Sequence, residues 1–141
     1  MKREIKFRAW DSELLFMHNG SRFIVIEWHT DGTFHSERLL LQQFTGLYDT
    51  SGKEIYEGDI VEVKKKSGFG TGKGDKKVIV WDTAHLCFIM VWLQYFQPDV
   101  EYRNGNPITK TIGGYTYDKV TDSKKVEVIG NIYENQELLN K

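Results

Sequence analysis

The chain has 141 residues, of which 40% are hydrophobic and 28% are charged, as expected for one soluble globular domain. Its 19 basic and 20 acidic residues nearly cancel, which excludes a highly charged disordered chain and a uniformly basic nucleic-acid-binding surface. The single cysteine, Cys87, cannot form an intramolecular disulfide. We therefore expect a buried, unreactive thiol in a reducing cytoplasm.

The first 43 residues predict a β meander. Alternation places Arg8 and Trp10 on one face of a first strand. Turn signals at Asp11-Ser12, Asn19-Gly20 and Asp31-Gly32 then separate strands over residues 14–18, 23–29 and 34–41.

Residues 44–133 predict a barrel-like core. Short β-rich segments occur at residues 53–56, 59–66, 76–82, 86–96 and 126–133, and Gly130 is expected to form a bulge. Residues 97–124 are polar and turn-rich and predict a long insertion. Residues 134–141 form the tail, where Asn135 is expected to cap a short helix that ends at Leu139. The whole chain is therefore predicted to be one all-β domain.

The run from Leu86 to Phe96 has apolar side chains on both strand faces. It is too short to span a bilayer as a helix, which needs about 20 residues, and the charged N-terminus does not resemble a signal peptide. A small barrel has one interior, so the second face must be covered either by the N-terminal meander or by another copy. We favour the second alternative and expect a homo-oligomer.

Positive charge is concentrated around a glycine-rich loop. Residues 64–77 contain six lysines and one aspartate, a net charge of +5, so the rest of the chain carries −6. A local excess of this kind attracts phosphate backbones, although a solvated hairpin loop can have the same composition. The glycine spacing matches neither the P-loop nor the dinucleotide fingerprint.

The candidate nucleic-acid-binding residues are the basic and aromatic side chains of this segment and of the first strand: Lys64, Lys65, Lys66, Phe69, Lys73, Lys76, Lys77, Arg8 and Trp10. Phe69 is the candidate for stacking on an exposed base.

Catalytic and metal-binding patterns are not recognisable in the sequence. The densest acidic group consists of Glu54, Glu57 and Asp59, which we interpret as turn residues. His29 and His35 flank a predicted two-residue turn and would point to opposite sheet faces, which disfavours a metal site. No nucleophile motif is found. We expect a protein that is not an enzyme and that has no cofactor or metal.

Three sequence blocks resemble a known family. They are residues 3–11 (REIKFRAWD), 43–61 (QFTGLYDTSGKEIYEGDIV) and 127–135 (EVIGNIYEN). In this order they resemble the YopX family of small proteins carried by bacteriophages and prophages. The resemblance implies an SH3-type β-barrel, with residues 57–61 entering a barrel strand, and it implies no catalytic residues. Gln136 stands where the family often has proline, which should weaken the helix start.

Together these features suggest an accessory protein of a phage or prophage in the cytoplasm of the bacterial host. We expect a non-catalytic binding module, with nucleic acid as the leading candidate ligand. The alternatives are a protein–protein interaction module, which would bind a host or phage protein, and a homo-oligomeric structural protein. Salt dependence separates phosphate binding from an apolar interface.

Overall fold

The structure is a computed structural model that describes residues 4–19, 39–64, 74–98, 101–103, 106–107, 118–119 and 125–140. These residues form an all-β fold of two sheets, as predicted. The smaller sheet contains β1 (Phe7–Asp11), β2 (Phe16–Asn19), β3 (Leu39–Tyr48) and β4 (Glu54–Tyr56), in the order β2-β1-β3-β4.

The larger sheet is curled into a half-barrel. Its main strands are β5 (Asp59–Val63), β6 (Asp75–Asp82), β7 (Cys87–Trp92), β10 (Asp118–Lys119) and β11 (Val126–Asn131), in the order β10-β7-β6-β5-β11. Two short strands, β8 (Tyr102–Arg103) and β9 (Asn106–Pro107), pair with each other. β8 also pairs with β6 in parallel, and the other pairs in both sheets are antiparallel.

Hydrophobic clusters cover both faces of the β6–β7 pair. On one face, Val78 and Val91 pack in a cluster with Ile60, and the C-terminal residue Leu138 lies against it. The other face carries a cluster that includes Ile55 of β4. The same chain therefore covers both faces of the long apolar run, and self-association has no support from this run.

Local signals predicted most strands, but several of their limits differ from the predictions. For example, β2 begins at Phe16 rather than at residue 14, and β5 ends at Val63 rather than at residue 66. The predicted boundary between the meander and the core, at residues 43 and 44, falls inside the single strand β3. Residues 39–43 of this strand pair with β1, and Phe44 pairs with Tyr56 of β4. β7 ends at Trp92 rather than at Phe96, and Leu93–Tyr95 form a 3-10 turn. The register shift between Val128 and Gly130 confirms the predicted bulge. Predicted strands within residues 20–38 lie outside the described residues.

The predicted C-terminal α-helix is not confirmed. Gln136–Leu138 form only a short 3-10 turn, and the side chain of Asn135 does not cap it. Instead, Asn135 Oδ1 accepts a hydrogen bond from the Asn131 backbone N–H at 3.0 Å, and Asn135 Nδ2 donates to Glu137 Oε1 at 3.2 Å. The side chain that was expected to start the helix therefore binds the end of β11. Within the described residues no helix is long and apolar enough to cross a membrane.

Two hairpin turns share one sequence pattern and one geometry. The pattern Trp-Asp-Xaa-Xaa-Xaa-Leu occurs between β1 and β2 and again between β6 and β7. Asp11 Oδ1 accepts two backbone N–H bonds at 3.0 and 2.9 Å, and Asp82 Oδ1 accepts two at 3.0 and 2.9 Å. Leu15 and Leu86 have φ values of 51° and 50° and are 71% and 72% exposed. We call these the leucine turns.

Candidate functional site

The β5–β6 hairpin brings lysines from separate segments to one end of the larger sheet. Val63 is opposite Asp75 and Glu62 is opposite Lys76. Lys64, which follows β5, donates its backbone N–H to the carbonyl of Lys125 at 2.9 Å. Lys64 and Lys125 are exposed and Lys76 is half-buried. We call these three lysines the hairpin end.

Acidic residues partly offset the charge of the hairpin end. Lys64 Nζ lies 3.3 Å from Glu127 Oε2, and these two side chains are 58% and 46% exposed. Glu62 lies opposite Lys76 across the strand pair. An exposed ion pair contributes about 0–1 kcal/mol. The Lys64–Glu127 pair can therefore be broken at little energetic cost.

The other predicted lysines do not all join this surface. Lys77 lies in β6, is only 4% exposed, and places its ammonium group 4.7 Å from the centroid of the Trp92 ring. Its side chain packs on an aromatic face rather than reaching into solvent. Lys65, Lys66, Phe69 and Lys73 lie outside the described residues.

Arg8 and Trp10 are buried and belong to the packing of the smaller sheet. Arg8 forms an ion pair with Asp59, and Arg8 Nε donates to Gln42 Oε1 at 2.8 Å. The ring of Trp10 stacks on Tyr133 with a centroid separation of 6.2 Å. Neither side chain extends the surface of the hairpin end.

Arg8 is part of a buried polar cluster that joins the two sheets. Asn131 Nδ2 donates to Gln42 Oε1 at 3.1 Å and to Asp59 Oδ1 at 3.2 Å. The backbone N–H of Tyr56 donates to Asp59 Oδ2 at 2.8 Å, and the Arg8 guanidinium carbon lies 4.4 Å from the Tyr56 ring centroid. We call these five residues the polar junction. Each comes from a different strand, so the cluster fixes the position of one sheet against the other.

Burial dominates the electrostatics of the polar junction. It raises the pKa of the Asp59 carboxyl, while the Arg8 charge and hydrogen bonds from Tyr56 and Asn131 act in the opposite direction. A buried charge is tolerated when it is paired and hydrogen-bonded. The two charged groups are each other's partners, so removing one would leave the other buried alone.

A cavity of about 370 Å³ lies beside the polar junction, and its wall includes Gln42, the β4–β5 turn, part of β6 and Tyr133. Burial raises the pKa of Glu57, which lines this cavity, and hydrogen bonding with the backbone at Gln43 and Trp81 acts in the opposite direction. Gln42 Nε2 is a buried side-chain donor without a hydrogen-bond partner among the described residues. The cavity wall therefore carries a buried donor and a partly buried acid.

The sequence profile of the family described as "YopX protein" matches residues 6–140. The chain belongs to the YopX family. The blocks that resemble the YopX family supply Arg8, Tyr56, Asp59 and Asn131, so these distant blocks meet at the polar junction.

The fold of this YopX-family chain is similar to the crystal structure of protein EF1440 from Enterococcus faecalis. The TM-score is 0.57 at 23% sequence identity, and the match covers 99% of this chain and 100% of that one. This likeness shows the fold alone. A search of curated proteins found no match.

The three acids of the predicted turn group have separate surroundings. Asp59 belongs to the polar junction and Glu57 lines the cavity. Glu54 forms an ion pair with Lys6 and accepts a hydrogen bond from the Tyr56 hydroxyl at 2.6 Å. Burial acts to raise the pKa of Glu54, but these two partners outweigh it and lower the pKa. The three carboxylates are therefore held by different groups, and Tyr56 binds Glu54 through its hydroxyl and Asp59 through its backbone N–H.

Sequence reasoning missed Gln42, Asn131 and Asp49. Their local patterns are those of ordinary strand and turn residues, and each has a partner far along the chain. Asp49 Oδ2, for example, accepts the backbone N–H of Val128, 79 residues away, at 3.0 Å. The Asn131 partners Gln42 and Asp59 are 89 and 72 residues away, respectively. The one available signal was that Asn131, Asp49 and Asp59 fall inside the family blocks.

The described part of the chain contains no group of three or more His, Cys, Asp or Glu side chains placed to hold a metal ion. His29 and His35, the close pair in the sequence, lie outside that part. The histidines that are described lie near turn aspartates: His85 Nδ1 is 3.0 Å from Asp82 Oδ1, and His18 Nε2 is 3.6 Å from Asp11 Oδ2.

Proposed function

We propose that this protein is a non-catalytic binding module of a phage or prophage that binds nucleic acid in the cytoplasm of the bacterial host. The observation that carries the proposal is the hydrogen bond from Lys64 to Lys125, which adds a third lysine-bearing segment to the end of the β5–β6 hairpin. Along the chain, Lys65, Lys66 and Lys73 lie between the strands that end there. Lysines gathered in this way favour contacts with phosphates.

Binding through these lysines should be weak and independent of sequence. Phosphate contacts position a protein on nucleic acid, whereas base contacts select a sequence. The neighbouring acids, Glu62 and Glu127, should weaken binding further. Binding should therefore decrease steeply as salt is added.

The test replaces Lys64, Lys65, Lys66, Lys73 and Lys76 with glutamine. Lys77 is kept because it is buried against Trp92. Binding to single- and double-stranded DNA and RNA is measured at several salt concentrations, beginning at low salt. For each phosphate that the variant no longer neutralises, the salt slope should become shallower by about 0.9 log units on duplex DNA and by about 0.7 on a single strand.

The matched control is Lys53→Gln, which removes an exposed lysine from the β3–β4 turn and should leave the salt slope unchanged. Equal melting temperatures of the parent and variants would show that the fold is intact. If the parent binds none of the nucleic acids at micromolar concentration in low salt, the proposal is refuted.

A second candidate function is binding to a host or phage protein. The leucine turns favour it, because Leu15 and Leu86 are highly exposed on loops of the same geometry. A leucine at positive φ is strained by about 1–2 kcal/mol, and such strain is often kept at functional sites. Phe16, beside Leu15, is 59% exposed and adds apolar surface.

This second function is tested with the double variant Leu15→Ser, Leu86→Ser, and with Ile5→Ser as a control at another exposed apolar residue. Proteins captured from lysogenic cells by the parent are compared with those captured by each variant, after nuclease treatment and in high salt. A partner that depends on the leucine turns should be captured by the parent and by Ile5→Ser but not by the double variant. Equal capture by all three proteins would exclude these turns as the interface.

A further inference from the structure

We propose that the cavity beside the polar junction binds a small planar heterocycle of the nucleobase type through Gln42 and Glu57. The inference does not rest on the phosphate contacts proposed above, because none of the hairpin-end lysines lines this cavity.

The first observation is the orientation of the Gln42 amide. Its Oε1 accepts hydrogen bonds from Arg8 Nε at 2.8 Å and from Asn131 Nδ2 at 3.1 Å. Both partners are obligatory donors, so the oxygen must face them and the nitrogen must face away. The side chain is 2% exposed, and its Nε2 has no partner among the described residues.

The unpartnered nitrogen lies against a residue of the cavity wall. A Cβ placed on Gly58 would come within 2.1 Å of Gln42 Nε2, and Gly58 and Gln42 both line the cavity. A buried donor that lacks a partner costs about 1–3 kcal/mol. A ligand carbonyl or ring nitrogen that reaches this position would recover that cost.

The second observation is the acceptor on the same wall. Glu57 is half-buried and belongs to the turn that also contains Gly58. The backbone at Gln43 and Trp81 lies close enough to stabilise its carboxylate. A remaining lone pair can accept an N–H from a ligand.

These two groups define the chemistry of the ligand. It must accept one hydrogen bond and donate another, as the adjacent C=O and N–H groups of uracil and guanine do. The cavity volume of about 370 Å³ lies within the usual range of small-molecule sites. Trp81 and Tyr133 in the wall provide aromatic surface for a flat ring. Glu57 and Glu101 disfavour a phosphate group inside the cavity.

The experiment titrates the ¹⁵N-labelled full chain with uridine and guanosine, which carry no phosphate. We expect millimolar or tighter binding of at least one nucleoside, with shifts of the Gly58 and Trp81 amide signals. The matched probes are 3-methyluridine and 1-methylguanosine, in which the N–H donor is blocked. Methylation should weaken binding tenfold or more.

Two protein variants accompany these probes. Glu57→Gln should weaken binding at least tenfold, because a neutral amide oxygen is a weaker hydrogen-bond acceptor than an ionised carboxylate. Glu13→Gln changes an exposed acid in the β1–β2 turn and should have no effect. The glutamine variant of the five lysines, described under the proposed function, should bind nucleosides like the parent. Failure of the phosphate proposal would therefore leave this result unchanged.

Two results would overturn the inference. The first is the absence of localised shifts with either nucleoside at millimolar concentration. The second is equal binding of the methylated and unmethylated probes, which would show that Glu57 accepts no hydrogen bond from the ring.

Discussion

Replacing Asp49 with asparagine should destabilise the protein in a pH-dependent way. Asp49 Oδ1 accepts hydrogen bonds from the Ser51 backbone N–H at 2.8 Å, the Ser51 hydroxyl at 2.7 Å and the Lys53 N–H at 2.9 Å. Its Oδ2 accepts the N–H of Val128 in β11 at 3.0 Å. The carboxylate thus joins the β3–β4 turn to the larger sheet, and asparagine would place an NH₂ group against one of these donors.

The size of the effect follows from the pKa. Burial acts to raise the pKa of Asp49, but the hydrogen bonds from Val128, Ser51 and Lys53 outweigh it and hold the pKa at about 2, against an ordinary value of 3.8. The folded state therefore favours the ionised carboxylate by about 2 kcal/mol. This stability is fully present above the unfolded pKa and is lost as the pH falls through the folded pKa. The donor left unsatisfied in the variant adds about 1–3 kcal/mol.

Urea denaturation of both proteins as a function of pH measures this difference. At neutral pH, Asp49→Asn should lower the free energy of unfolding by about 3–5 kcal/mol. The difference should shrink by about 1 kcal/mol when the pH is lowered to about 3, and by about 2 kcal/mol at still lower pH. Glu134→Gln, at an exposed acid, controls for general charge effects. A difference that stays constant from neutral to acidic pH would refute the role assigned to the carboxylate.

Three further predictions test other contacts by their effect on unfolding. Gly58→Ala should lower the free energy of unfolding by about 2–4 kcal/mol, because φ is +78° and the new Cβ would meet a buried glutamine amide. Gly52→Ala, where φ is +85° but the surroundings are open, should lower it by about 1 kcal/mol, and equal destabilisation in urea would contradict the close contact at Gly58. Arg8→Met should lower the free energy of unfolding by about 3–5 kcal/mol, because Asp59 is left buried without its cation. In a double-mutant cycle, adding Asp59→Leu should restore part of that stability. Leu86→Asn should raise the melting temperature, because asparagine tolerates φ near +50° with about 1 kcal/mol less strain; a lower melting temperature would contradict the strain.

Local patterns predicted the strands but did not predict which of their faces are buried. Alternation placed Arg8 and Trp10 on one face, but both faces of β1 are buried, since Ala9 and Asp11 are buried as well. Arg8 can be buried because Asp59, 51 residues away, neutralises its charge. Lys77 was correctly expected in the strand that is β6, but its side chain packs on Trp92 of β7 instead of joining the basic surface. In both cases the deciding partner is on another strand, where a local pattern cannot find it.

In the candidate sites, too, the sequence predicted what depends on neighbouring residues and missed what depends on distant ones. Lys64 and Lys76 were expected at one end of a hairpin because both flank a single loop, and the register of β5 and β6 confirms that arrangement. Nothing near Gln42 in the sequence marks it as part of a cavity wall. Its place there depends on Arg8, Gly58 and Asn131, which come from three other segments.

The contacts of β11 also bear on how the chain folds during synthesis. Asn131 completes the polar junction. The Val126 carbonyl of β11 accepts the backbone N–H of Thr50, and the Val128 N–H donates to the Asp49 carboxylate, so β11 is also bonded to the β3–β4 turn. The ribosome makes this strand long after its partners, and contacts between distant segments form slowly because long loops must close first. While residues 126–131 are still inside the exit tunnel, Asp59 lacks one of its donors and the edge of β5 is unpaired. The nascent chain should therefore depend on chaperones or rapid translation until its last strand emerges.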